Sequence, residues 1–416
     1  MPRLLRLVRA TTGLLGLLAP LPPLAPAVAQ VLAPQPLWPS LQQSLQLPDW
    51  VELGLDLSAE PLFGDAEAAG LKGAWMQQLV FTTRLGSGLG RDKRQWREID
   101  HWSLHLQLTA FSGDPNLAQT LGAAFPLQTD AYPTGLWLTA AAVERRAAGE
   151  ALAIKAGVFA LNPGFVQAPV LDSYVHSALN DTLNLETFGL PINPFAVPGV
   201  MVRARLGRGS ELRLGQFWLE PLHRTAGLFG GSPQQPAISG SLQVMQWTLH
   251  DLPGAAAVRQ PLQHRRQLIS RQLPDPLLQI GGYSNTGPLP NQVVYGLLTL
   301  AAPLPVGLDH RFWVGFNRGL DPANNPNPTF LSGGWLAQGL LPGRPLDVLA
   351  VGYGRTSFSQ LLTPGLRPEA VIEVNYTIPL SSQLSLQPVV QWILQPDGSA
   401  SRAPLVAGGV QLSLSF

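Results

Sequence analysis

The residues best placed to handle a solute sit in one long segment, ALNPGFVQAPVLDSYVHSALNDTLNLETFGLPINPFAVP, residues 160–198. Asp172, Tyr174, His176, Asn180, Asp181, Asn184, Glu186 and Asn193 offer acceptors, donors and an aromatic face, the mixture that a hydroxyl-rich solute needs. A connection this long in a compact protein more often carries function than spacing; the plain alternative is an external loop packed on its neighbours. Just beyond it, VRARLGRGSELRL places Arg203, Arg205, Glu211 and Arg213 on the polar phase of two adjacent strands. In a lumen they would form a basic wall of the kind that sets selectivity in pores; on a soluble sheet they would be a solvated face. Catalytic chemistry finds little support. No H-x-E-x-H pair, G-x-S-x-G elbow or phosphate-binding glycine motif occurs. His101 and His105 share a strand face about 13 Å apart, too far to ligate one metal. Asp172 and Glu186 could be drawn as a glycosidase pair only because two carboxylates fall in one polar loop. Neither an enzyme nor a cofactor or metal is expected.

What must position these residues is a set of alternating strands. DHWSLHLQLTAF sets Trp102, Leu104, Leu106 and Leu108 against Ser103, His105, Gln107 and Thr109. EAVIEVNYTIPLSSQLSLQPVVQW repeats the pattern through two strands and their turn. Such segments recur at about the 9–11 residues a tilted strand needs to cross a bilayer. They fall near 50–57, 74–86, 101–111, 135–144, 151–159, 199–206, 211–219 and 239–249. The second half adds 276–284, 292–300, 310–317, 330–338, 346–355, 369–377, 383–393 and 405–416. About sixteen strands, an even number, suit an all-β, antiparallel transmembrane barrel. Connections after the third, fifth and seventh strands are long, and those after the fourth, sixth and fourteenth are short, the asymmetry of an outer-membrane barrel. Residues 250–275 break the rule and are expected to form a short helix or an extra strand. The lumenal phase reads as sparse in aromatic residues outside the long loop.

Composition agrees. Hydrophobic residues make up 45% of the chain and charged ones 13%, yet beyond residue 30 no apolar run reaches the length of a spanning helix. Glycine (42) and proline (40) interrupt the chain too often for long helices. There is no cysteine, so neither disulfides nor thiolate metal sites contribute. Residues 1–29 read as a secretory signal: Arg3, Arg6 and Arg9, an apolar core, and Ala27-Val28-Ala29 before a cut at Gln30. Without it the basic residues number 24 against 26 acidic, which leaves no footprint for nucleic acid. Residues 30–49 are a short lead-in, and 50–416 form the barrel domain.

The segment from Ala151 to Trp218 resembles the carbohydrate-selective porin family, OprB: a strand, an aspartate- and asparagine-bearing loop, a proline, an arginine-bearing strand and an L-x-x-G-x-F strand. The ending LQPVVQWILQPDGSASRAPLVAGGVQLSLSF is similar to that family's L-Q-P-x-x-Q-x-I-x-x-P strand, loop and terminal aromatic strand. The resemblance implies a 16-stranded outer-membrane barrel whose loop after the fifth strand folds inward as a constriction. It implies passive diffusion of carbohydrates and other small hydrophilic solutes, with no cofactor. Asp172, Tyr174, Asn180, Asp181 and Arg203 would then stand at the constriction. The other readings kept open are a general or anion-leaning pore and a soluble exported β-sandwich that binds polysaccharide. The short lead-in carries no cell-wall-binding module of the kind some relatives have, so wall anchoring is not expected. A homotrimer is expected only by analogy with general porins of this size. Phe416, in phase to the last residue, is expected to face the membrane boundary, close the barrel seam and signal to the outer-membrane assembly machinery.

Overall fold

The computed structural model describes residues 31–66, 70–86, 101–147, 149–180, 191–207, 209–219, 240–252, 260–264, 267–286 and 290–416. The proposed signal, residues 1–29, lies outside them. Sixteen antiparallel strands close into one barrel. In chain order they are β1 (Val51–Ala66), β2 (Gly70–Gly86), β3 (His101–Gly113), β4 (Gly135–Ala147), β5 (Leu152–Phe159), β6 (Val197–Gly207), β7 (Ser210–Trp218) and β8 (Ser241–Leu249). After a small pair outside the barrel, β9 (Leu262–His264) and β10 (Gln267–Ile269), come β11 (Leu277–Asn285), β12 (Asn291–Ala301), β13 (Asp309–Gly319) and β14 (Thr329–Gln338). The last four are β15 (Val348–Thr356), β16 (Glu369–Pro379), β17 (Leu384–Leu394) and β18 (Leu405–Ser415). Every segment expected from alternation is a barrel strand. β1 runs to Ala66, well past the expected end, because Glu60, Pro61 and Gly64 blur the alternation. Its pairing to β18 skips Glu60 and Pro61, where proline has no N–H to donate.

Closure comes from β1 pairing with β18, Asp56 opposite Ser415 and Asp65 opposite Val406. A gap there would leave a row of backbone polar groups in lipid, so the strand has to stay paired to its end. Phe416 accordingly donates its N–H to the Leu55 carbonyl (2.9 Å), and its ring meets Trp38 in a tilted contact at 5.6 Å. The outer face is apolar and open: Leu79, Phe81, Leu106, Val143, Ile154, Leu214, Val294 and Val314 are all exposed large hydrophobics. Lumenal neighbours on the same strands, such as Thr109, Glu144 and Gln246, are buried instead. This inverts the usual arrangement, as a strand facing lipid on one side requires.

The described part of residues 250–275 forms neither the expected helix nor a further barrel strand. Pro261 and Pro274 punctuate it and interrupt any continuous hydrogen-bonded element. Its described part forms the β9–β10 hairpin, whose Leu268 and Ser270 exchange backbone hydrogen bonds with Leu32 of the lead-in. It then turns into the lumen at the rim that carries the lead-in and Phe416. There the Gln338 side chain donates to the Ser270 carbonyl (2.9 Å), and Arg311 Nε donates to the Pro274 carbonyl (2.6 Å).

The core lies inside the barrel. Phe111, Trp137, Phe159, Phe217, Tyr283, Tyr295, Trp313 and Phe330 point inward from the wall and pack against the loop residues Phe165, Val166, Leu171 and Tyr174. The lumenal phase is therefore not sparse in aromatics; the inward loops cover them. Alternation reports phase, and cannot tell a position open to water from one under a loop.

A polar eyelet between two inward loops and the barrel seam

Among the described residues, two loops on the side opposite the C-terminal rim enter the lumen. The β5–β6 loop does so as expected. At its start Arg213 Nη1 donates to the Gly164 carbonyl, and the Val166 N–H donates to Gln246 Oε1 on β8 (2.7 Å). Farther on, Tyr174 bridges β13 and β15: its hydroxyl accepts from Trp313 Nε1 (2.8 Å) and donates to the Val351 carbonyl (3.2 Å). The ring fits a slot left by two facing glycines, Gly334 and Gly352, where any Cβ would collide with it. Glu373 on β16 then holds the next turn, its carboxylate accepting from the backbone N–H groups of Val175 (2.8 Å) and His176 (2.6 Å). Asn375 and Gln387 both donate to the Ser173 carbonyl, at 2.8 and 3.0 Å.

The β3–β4 loop, residues 114–134, enters too, and sequence reading treated it only as a long external connection. It carries a short helix, α1 (Leu117–Leu121). Leu117, Leu121, Phe125 and Leu127 are buried there. So many apolar side chains in an external loop were the available signal that it folds in. Glu60 on β1 clamps its tip, with Oε2 accepting from the Asp130 N–H (3.0 Å) and Oε1 from Gln411 Nε2 (2.6 Å) and the Thr129 hydroxyl. Ser58 donates to the Asp130 carboxylate, and Gln391 to the Leu127 carbonyl (2.9 Å).

Between the two loops and the seam a polar cavity of ≈ 260 Å³ remains. The wall supplies Ser58, Gln78 and Gln411; the β3–β4 loop supplies Thr129, Asp130 and Tyr132; the β5–β6 loop supplies Asn162, Gln167, Asn180 and Asn193. Amides and hydroxyls that both donate and accept dominate this lining. Burial pushes the Asp130 carboxyl up to about 6, against the Ser58 hydrogen bond that favours its ionised form.

The expected site residues divide. Asn180 lines the eyelet and is fixed by donating to the carbonyls of Leu171 (3.3 Å) and Tyr174 (2.7 Å). Asp172 faces the lumen beside it and accepts from Gln167 (3.0 Å); enclosure by the barrel pushes its carboxyl up to about 6. Tyr174 and His176 do not line the eyelet. Both are buried, and His176 is held neutral by burial, which lowers its pKa to about 3. A long loop looks uniformly available in sequence, whereas here its aromatic and imidazole groups pack against the wall. Asp181, Asn184 and Glu186 lie outside the described residues.

Arg203, Arg205, Glu211 and Arg213 lie on the lumenal phase of β6 and β7, but none of them lines the eyelet. Glu211 pairs with Arg213 at 2.5 Å and Arg203 at 3.7 Å, and Glu150 pairs with Arg205 at 3.3 Å. The basic wall is thus partly neutralised by its own carboxylates. No group of three or more histidine, aspartate or glutamate side chains able to hold a metal occurs among the described residues.

Residues 306–416, which hold the last six strands, match the carbohydrate-selective porin, OprB family. No curated protein sequence matches the chain. Among solved structures, the high-pH structure of Pseudomonas putida OprB superposes with a TM-score of 0.72 at 14% identity, covering 90% of this chain and 96% of that one. The low-pH structure of the same protein gives 0.56 at 12% identity, covering 92% and 100%. At these identities the likeness is one of fold. The family match over the final strands bears out the resemblance that the ending carries.

Proposed function

We propose that this chain, whose last six strands match the carbohydrate-selective porins and whose barrel shares the fold of Pseudomonas putida OprB, is an outer-membrane channel for passive diffusion of carbohydrates and other small hydrophilic solutes. It acts as a channel rather than an enzyme. One observation carries the reading most directly: the opening left by the two inward loops is lined by the amides and hydroxyls of Gln78, Asn162, Asn180, Asn193, Gln411 and Ser58. Such groups can replace the hydration of a polyol without committing to a charge, and a solute bound by several of them still leaves easily. Export by the signal at residues 1–29 and recognition of Phe416 by the assembly machinery belong to the same proposal.

Liposome swelling with the full-length protein tests it. Sugars should permeate, and Gln78→Trp, which fills the eyelet from a wall position, should slow them strongly. Ion conductance without sugar flux would favour the second reading, a general pore, to which the arginines of β6 and β7 lend support. Heat-modifiable migration in the outer-membrane fraction separates both from a soluble sandwich.

A further inference from the structure

We propose that the lumenal wall formed by β5 and β6, between the eyelet and the rim that carries the lead-in and Phe416, binds the carboxylate or phosphate of an anionic sugar. The inference rests on reading the barrel as a sugar channel and names a solute class for it.

The charges on this wall do not cancel. Strands β4 to β7 and their turns present Arg146, Lys155, Arg203, Arg205 and Arg213 beside only three carboxylates among the described residues, Glu144, Glu150 and Glu211. Those three are already committed. Glu144 pairs with Arg146 at 2.5 Å, Glu150 with Arg205 at 3.3 Å and Arg146 at 3.5 Å, and Glu211 with Arg213 at 2.5 Å. Two positive charges remain. They reside on Lys155, which stands directly across from Glu144 but makes no ion pair with a carboxylate among the described residues, and on Arg203, whose Glu211 contact is shared and stretched to 3.7 Å.

The register places these two together. Lys155 stands opposite Met201 and Arg203 opposite Ala153, so they are diagonal neighbours on one face of the β5–β6 pair. Diagonal neighbours stand about 7–8 Å apart; the Lys155 head reaches along β5 toward Phe159 and the Arg203 head toward Glu211, so the two swing toward each other to share one anion. Arg203 is also directly across from Arg213, a like-charge pair that a sheet disfavours without compensation. Its Nη2 is shielded from water yet has no hydrogen-bond partner. Lys155 Nζ rests 4.7 Å above the Phe159 ring, so its charge sits against an apolar surface. A guanidinium with an unused donor, and an ammonium without an ion pair one diagonal step away, can together take a carboxylate or phosphate by charge-assisted hydrogen bonds once both heads turn to it. Low-dielectric walls focus that field into the lumen. The facing acids do not erase it: Asp130 and Asp172 belong to the loops at the eyelet, and Ser58 and Gln167 bond them there.

The full-length protein in proteoliposomes tests the site, with labelled glucose, glucuronate, glucose 6-phosphate and acetate as probes. Glucuronate and the sugar phosphate are expected to enter at least as fast as glucose. In the double variant Lys155→Met, Arg203→Gln the ratio of glucuronate to glucose flux should fall at least fivefold, and in Lys155→Arg, Arg203→Lys it should be retained. Heat-modifiable migration confirms that each variant is folded. Equal loss of glucose and glucuronate, or an unchanged ratio, would overturn the anion site while leaving the sugar channel standing. Acetate responding as strongly as glucuronate would overturn the sugar part of the assignment. If the folded wild type passes none of the probes, the channel reading itself fails.

Discussion

Glu373→Ala is the sharpest perturbation of the constriction, because one carboxylate on the barrel wall carries the turn of the β5–β6 loop. Its oxygens accept from the backbone N–H groups of Val175 and His176 and from the side chains of Asn375 and Gln391 (2.7 and 3.1 Å). The two side-chain amides can find other partners in a lumen. The two backbone donors cannot, since Val175 and His176 are buried against the wall. Leaving each unsatisfied costs about 1–3 kcal/mol, so docking of the turn weakens by about 2–6 kcal/mol. Even the lower figure shifts the balance between docked and released loop by about 30-fold. The barrel ladder does not depend on Glu373's side chain, so the variant should fold, keep its heat-modifiable migration and lose only the constriction. Single-channel recording should show higher conductance and greater open-channel noise, with sugars blocking less. Glu373→Gln, which keeps one acceptor oxygen, should fall between the two. Wild-type conductance and noise in Glu373→Ala would refute the view that this carboxylate holds the loop.

Three other outcomes follow from the same geometry. Asp130 and Asp172 both titrate near 6 in the folded channel, above the ordinary 3.8, so the native form binds more protons than the unfolded chain between these values. Lowering the pH through 6 should therefore stabilise the loops and remove negative charge from the eyelet. The reversal potential in a salt gradient should move toward anion selectivity, and Asp130→Asn, Asp172→Asn should abolish that movement. Tyr174→Phe removes one donor and one acceptor at the β13–β15 anchor, a loss of about 1 kcal/mol per bond, and should raise channel noise without altering the apparent affinity for a blocking sugar. A drop in affinity would return Tyr174 to the solute path. Deleting Phe416 removes the Leu55 hydrogen bond and the Trp38 ring contact at the seam, and should lower the amount of folded barrel in the outer membrane on immunoblots of membrane fractions.

Alternation along short segments was enough to place all sixteen strands and the asymmetry of their connections, because a strand with lipid on one side and the lumen on the other must repeat every two residues. The closing role of the last strand was legible for the same reason: Val410, Leu412 and Leu414 keep the outward phase while Gln411 turns inward to Glu60. What the lumen does with its inward residues was not legible. Trp137, Trp313 and Phe330 share the phase of Gln78 and Ser58, yet the first three are covered by loops and the last two line the opening. That difference depends on where residues 114–134 and 160–196 come to rest, which contacts between residues far apart in the chain decide, such as Glu60 with Asp130 and Glu373 with His176. Tyr174 and His176 were expected in the solute path because polarity marks both; the paired glycines at 334 and 352 and the Glu373 carboxylate take them into the wall. Local periodicity determined the barrel, and the eyelet was decided by hydrogen bonds and burial that only the closed barrel brings within reach.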